Sequence, residues 1–191
     1  STGEILAKID GFHKAHNTVY GPTGDHVYLD DIGNPWIYVA DTKTNTITMK
    51  VGPFSNYVRP FTINGKETLP SATVDSLLGF EVGDLLTGAK LASVIVQGWE
   101  KGPVRRHGNP SHGIGLTPDE KELWLCDGHN MKLHVFSAQA PYQQYTTLGM
   151  KDMPGWITFS MDGHYAYPSS GEVIDTKSRK LLLYLQDEFH H

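Results

Sequence analysis

Cys126 is the single cysteine of the chain, which excludes a disulfide framework and a cysteine-rich metal site. It lies in Leu123-Trp124-Leu125-Cys126-Asp127 and reads as a small buried hydrophobe rather than a nucleophile. No apolar run nears the roughly 18 residues needed to cross a bilayer, so no membrane span is expected. No signal peptide is legible, although Ser1 is compatible with a processed terminus. Positive charge is scarce: 16 Lys and Arg face 21 Asp and Glu, a formal net charge of −5. That balance argues against a nucleic-acid partner. The densest basic cluster, Lys101, Arg105 and Arg106 beside His107, is too small to track a phosphate backbone. A Gly-x-Ser-x-Gly elbow, a phosphate loop and a dinucleotide fingerprint are missing. Helical periodicity is nearly missing too; Ser76–Leu86 hints at it, and Gly79 and Gly83 argue against it.

What the chain does have is turn-forming residues, with 20 Gly and 11 Pro, and a phrase that returns four times. Gly21-Pro22-Thr23-Gly24-Asp25-His26-Val27-Tyr28 is echoed at Thr117–Trp124, more loosely at Ser160–Tyr167 and in degenerate form at Ile63–Leu69. Each copy is a tight polar turn between two runs of alternating apolar residues, at steps of about 41, 55 and 43 residues. Around the turns the alternation gives four groups of four strands, plus a lead-in strand, Ile5–Ile9. The third group opens on His112–Thr117, and the last strand is Lys180–Leu185. Asp41-Thr42-Lys43-Thr44-Asn45, Asp84–Gly88 and Asp175–Arg179 each follow a third strand and carry the residues that cap tight turns. This is the pattern of an all-β, β-propeller-like array of about four four-stranded antiparallel blades. The expected blades cover approximately residues 11–53, 54–98, 107–150 and 151–187 of one domain, 1–187. A long Gly/Pro-rich loop, 98–111, separates the second blade from the third, and loops of that length tend to be functional. Residues 188–191 look like a cloning scar running into a truncated histidine tag.

With the repeats in place, the chain resembles the YVTN-type bacterial β-propellers, related to the propellers of cytochrome d1 and nitrous-oxide reductase. The resemblance rests on Trp36-Ile37-Tyr38-Val39-Ala40-Asp41-Thr42-Lys43-Thr44, similar to the family's strand followed by Asp-x-x-Thr. It rests also on Gly115–Trp124, where the family carries Pro-Asp-Gly before a Tyr-Val strand. These motifs specify blades rather than chemistry. The resemblance implies an extracytoplasmic, periplasmic or secreted, protein. Members usually close seven blades, and an open array leaves strand edges and apolar faces uncovered. About four blades therefore imply a fragment of a larger propeller, an unusually small ring, or two chains that combine. Of these a homodimer closing an eight-bladed ring is expected, with Ile5–Ile9 completing a blade in a second copy or clasping the ring within one chain.

Ten histidines are the richest chemical material, two of them in the tag-like end. His16 and His112 fall at equivalent repeat positions on first strands, which line a propeller's channel; Tyr57 and Gly155 occupy that slot in the other repeats. Arg59, Trp156 and the loop residues Trp99 and Arg105 complete a candidate ligand site at the channel mouth. Its ligand would be a small molecule or a protein segment. His13, His16, His107 and His112 are the candidate ligands for a divalent transition metal, because imidazole suits Zn, Cu, Ni or Fe. Two functions follow: a non-catalytic binding scaffold, or a metal-assisted hydrolase or lactonase in which Glu100 or Asp31 handles protons. The carboxylate pair Asp30-Asp31 is close enough to raise one pKa or to bind a cation, although such pairs more often face water.

Overall fold

The computed structural model describes residues 2–5 and 7–188. It contains sixteen strands and no helix among them. The first sheet is β1 (Ala15–Tyr20), β2 (His26–Asp31), β3 (Ile37–Asp41) and β4 (Thr46–Val51). The second is β5 (Val58–Ile63), β6 (Pro70–Val74), β7 (Gly79–Gly83) and β8 (Lys90–Ile95). The third is β9 (Ile114–Leu116), β10 (Glu122–Asp127), β11 (Lys132–Ser137) and β12 (Gln144–Gly149). The fourth is β13 (Ile157–Phe159), β14 (Tyr165–Pro168), β15 (Glu172–Asp175) and β16 (Leu181–Tyr184). Every sheet is a simple antiparallel meander, so the chain is an all-β, propeller-like array of four blades.

The repeated phrase is a hydrogen-bonded turn with a fixed pattern. Gly21, Asn64, Thr117 and Ser160 each donate their N–H across the turn, to the carbonyls of His26, Leu69, Glu122 and Tyr165. The true repeat steps are thus about 43, 53 and 43 residues. Three residues further on, Gly24, Glu67, Glu120 and Gly163 all have positive φ. The turns after the third strands are capped as their composition implies. Asp41 accepts from the N–H groups of Lys43 and Thr44, Asp84 from Leu86 and Asp175 from Ser178.

The first strands β1, β5, β9 and β13 neighbour one another in chain order and form the inner wall. Three apolar cores lie between successive blades. Tyr28, Val39 and Val51 meet Phe61, Ala72 and Val74; Phe80 and Val82 meet Leu123 and Leu125; Trp124 and Val135 meet Ala166 and Ile174. The central strands of the second and third blades are buried on both faces because a neighbouring blade covers each face. Polar hooks reinforce these seams. Glu67 of the second blade reaches Thr23, His26 and Tyr28 of the first. Glu120 of the third accepts from the Gly65 N–H of the second, and Arg179 of the fourth pairs with Glu122 of the third.

The lead-in strand expected at Ile5–Ile9 is not formed: the described residues there are irregular, and Leu6 lies outside the described residues. A lone strand has no ladder to join, and the segment instead brings Phe12 edge-on to Tyr38 at 5.0 Å. His112 precedes β9 rather than opening it, because β9 is only three residues long. Ser76–Leu86 contains β7 and no helix, as its glycines require. Gly79 has φ +153°, and a Cβ there would stand 2.0 Å from the Val94 carbonyl oxygen. Of the tag-like end, Glu188 is described, and residues 189–191 lie outside the described residues.

Candidate functional site

Counting five residues back from each turn's first residue gives four equivalent positions on the inner wall: His16, Arg59, His112 and Gly155. The slot assigned to Tyr57 from the sequence belongs to Arg59, two residues on; Tyr57 is 45% exposed. The His16 and His112 rings meet edge to face at 5.4 Å. Trp156, next to Gly155, stacks near His16 at 6.1 Å and meets His112 edge-on at 4.8 Å. The fourth slot has no side chain, and the loop uses that gap. A Cβ on Gly155 would stand 2.3 Å from His107 Nε2, and the His107 ring packs 4.4 Å from that of His112. The axis thus carries three imidazoles, an indole and a guanidinium.

The loop 98–111 is held down along its length, which is how His107 reaches the axis. Lys101 Nζ donates to the Ser76 carbonyl, Asn130 donates to the Glu100 carbonyl, and Arg106 pairs with Asp152 at 2.5 Å. Ser111 Oγ accepts from the Gly79 N–H, and Thr73 Oγ1 donates to the His112 carbonyl at 2.9 Å.

All three axial imidazoles are held below the ordinary histidine range. Burial is the main cause for each. Arg59, His107 and Lys14 add to it at His16, and Arg106 adds to it at His107. Burial takes His112 down to about 4, against the hydrogen bond from its Nδ1–H to the Gly155 carbonyl at 3.0 Å. That bond leaves Nε2 of neutral His112 as an acceptor. Arg59 is oriented by a two-point pair with Asp75, at 2.5 and 3.1 Å.

Behind His16 lies Asp30, which sequence reasoning had only as half of an acidic pair. It is fully buried; its Oδ1 accepts from the Asn17 N–H at 2.6 Å, and its Oδ2 has no hydrogen-bond partner. That oxygen is 3.8 Å from His16 Nδ1. Burial lifts the carboxyl to about 7, against the hydrogen bonds and Arg59 that pull it down. Asp31 is not the cause. Its oxygens are taken by the N–H groups of His13 and Lys14 and by Asn34, so Asp31 is a cap and not an available base.

The other candidates stand elsewhere. His13 is exposed and contributes its backbone N–H to Asp31. Trp99 sits 6.2 Å from the ring of His134 and under Lys132 Nζ at 5.1 Å. Arg105 and Glu100 are exposed on the loop. Among the described residues, no three of His, Cys, Asp and Glu are arranged to hold a metal ion. A second histidine network lies inside the third blade. His134 bonds Thr147 at 2.9 Å and Asp127 at 3.1 Å, with the His134 and Asp127 side chains both fully buried. These elements match a nucleophile–base–acid chain, yet the base and acid have no solvent access, so the network ties β10, β11 and β12 together. Its sequence signal is Asp127-x-x-Asn130, the counterpart of Asp31-x-x-Asn34.

The fold class has a solved counterpart. The chain is similar to a chain of Kuenenia stuttgartiensis hydrazine synthase, with TM-score 0.75 and 14% identity. The match covers 96% of this chain and 51% of that one, so this chain spans about half its length. At that identity the likeness concerns the fold alone. No protein-family model matches, and no curated protein sequence matches.

Proposed function

We infer that this chain is a non-catalytic binding propeller of the YVTN type, extracytoplasmic as that resemblance implies, with its ligand at the axis. The observation that carries this reading is the convergence of the repeat-equivalent His16, Arg59 and His112 with Trp156, which is 41% exposed. A large aromatic left half in solvent, next to neutral imidazoles, is a stacking surface ringed by hydrogen-bonding atoms. The Arg59 guanidinium adds a positive charge, which suits a small planar molecule bearing a carboxylate. The enzymatic reading, a metal-assisted hydrolase or lactonase, is favoured by the close approach of His16, His107 and His112. It is weakened by the missing third-ligand geometry and by the occupied oxygens of Asp31.

Trp fluorescence under titration with planar carboxylates such as benzoate tests the reading. Saturable quenching is expected in the unsubstituted chain and should be lost in both Trp156→Phe and His112→Ala. No saturable change at millimolar ligand, or quenching that survives both substitutions, removes it. Stoichiometric transition metal in the purified protein, lost from His16→Ala and His112→Ala alike, would instead favour the enzymatic reading.

A further inference from the structure

Each blade has two faces with different jobs. The face looking along the chain direction, here the front, carries Tyr28 in the first blade and Trp124 in the third. The face looking backwards carries Ile63, Leu116 and Phe159 at equivalent positions in the second, third and fourth blades, each packed into the preceding seam. Three seams of this front-to-back kind are filled. No core joins the fourth blade to the first among the described residues, so one front and one back are left over.

Both leftover faces are apolar where their equivalents are packed into a seam. On the fourth blade's front, Tyr167 is half-buried and takes the position of Tyr28 and Trp124, which are 2% and 0% exposed. Beside it lie the exposed Tyr165 and Leu183, the latter 52% exposed and paired to Val173, which is itself buried. Its equivalents Met49 and Ala92 are packed against the first and second seams. On the first blade's back, Tyr20 takes the position of Ile63, Leu116 and Phe159 and is 65% exposed. It pairs with Val27, whose equivalents Pro70, Leu123 and Ala166 are all buried.

We propose that a second copy of this chain covers both faces, the fourth blade's front of each copy packing on the first blade's back of the other. The leftover faces are the two halves of an interface the chain already makes three times. The surface that fits an uncovered front is therefore a blade back, and the one left uncovered among the described residues belongs to the first blade. Used twice around a twofold axis, the contact closes eight blades into a ring and leaves no open face. The half-wall of His16, Arg59 and His112 is then faced by the corresponding residues of the second copy. The proposal is independent of what the axis binds.

Light scattering on the intact chain tests it, with a mass expected at twice 21.2 kDa. Tyr20→Lys spoils the back and Leu183→Lys the front, both at exposed positions, so each variant should keep its β circular dichroism and cooperative melting. Each alone should be monomeric. Mixed in equal amounts they should dimerise, because the Tyr20→Lys copy still offers an intact front and the Leu183→Lys copy an intact back. A folded monomer for the unsubstituted chain overturns the proposal. So does a dimer broken by only one of the two variants, which would mean like faces pair, and so does growth into open polymers.

Discussion

Replacing Asp30 by asparagine probes the electrostatics behind the axis with one atom's change. The native carboxyl keeps its proton in the fold up to about pH 7, because burial disfavours the charge. In the unfolded chain it ionises near 4. Between those values the folded chain binds the extra proton, so native stability from this group is full in acid and declines as pH rises. The slope is about 1.4 kcal/mol per pH unit. From pH 5 to pH 7 that is about 3 kcal/mol, with little further change at pH 8. Asparagine carries no such proton. It keeps an acceptor for the Asn17 N–H and places an amide N–H₂ where Oδ2 lacks a partner, facing His16. Asp30→Asn should therefore be favoured over the native chain by about 3 kcal/mol more at pH 8 than at pH 5. Structural relaxation that halves this still leaves a clear difference. Urea unfolding followed by tryptophan fluorescence at both pH values measures it. His112 titrates in the same region but is present in both proteins, so its contribution cancels. An equal effect of the substitution at pH 5 and pH 8 would refute the argument that Asp30 is held neutral.

His112 gives the opposite acid limb. Its pKa is lowered to about 4, so the stability it confers is full above the unfolded value near 6.5 and is lost as pH falls towards 4; His112→Gln should flatten that limb by about 2–3 kcal/mol in the same urea assay. Glu67 is tied to Thr23, His26 and Tyr28 across the first seam, and although partial burial opposes it, those hydrogen bonds hold its carboxyl down to about 2. Glu67→Ala should cost about 2–3 kcal/mol in urea unfolding at pH 7, and Glu67→Gln less, because the amide still accepts from Tyr28. Gly79→Ala forces a Cβ into the Val94 carbonyl at positive φ, and it should lose more than about 3 kcal/mol or fail to fold, read as melting temperature or soluble yield. Cys126 is fully buried with its thiol pushed above the ordinary range by burial, so a thiol reagent should react with it only after denaturant is added.

The strands were legible because their information is local. Alternation and Asp-led turns place all sixteen, and the largest misses concern segments whose state depends on a partner. Ile5–Ile9 has the alternation of a strand but no ladder to join, and periodicity carries no record of whether an edge is free. His112 was assigned to a strand that the structure shortens to three residues, because β9 is short where the loop arrives. The axial site was half legible. Repeat counting found His16 and His112, since equivalence is a sequence property. It could not find Asp30, whose importance is a buried oxygen without a partner, nor separate it from Asp31, whose oxygens are capped.

In a repeat protein, function has to be written as departure from the repeat, because whatever every blade shares is needed to make a blade. The axial slot shows this. Two blades keep a histidine there, one has Arg59, and the fourth has glycine. Read alone, Gly155 looks like a loss. In three dimensions it is the vacancy that His107 fills, and His107 comes from the one insertion that breaks the repeat step. The two irregularities, a missing side chain and an extra loop, are complementary across about 50 residues of sequence. Neither alone improves packing: the glycine forgoes apolar contacts and the loop costs ordering entropy. Selection for a blade would have removed both, whereas selection for a fourth aromatic group at the axis explains both together. Gly155→Ala should on this argument leave the melting temperature within a few degrees while displacing His107, seen as a changed histidine ring signal by NMR. If the ring signal of His107 is unmoved, the loop and the slot are unrelated, and the axis carries three aromatic groups rather than four.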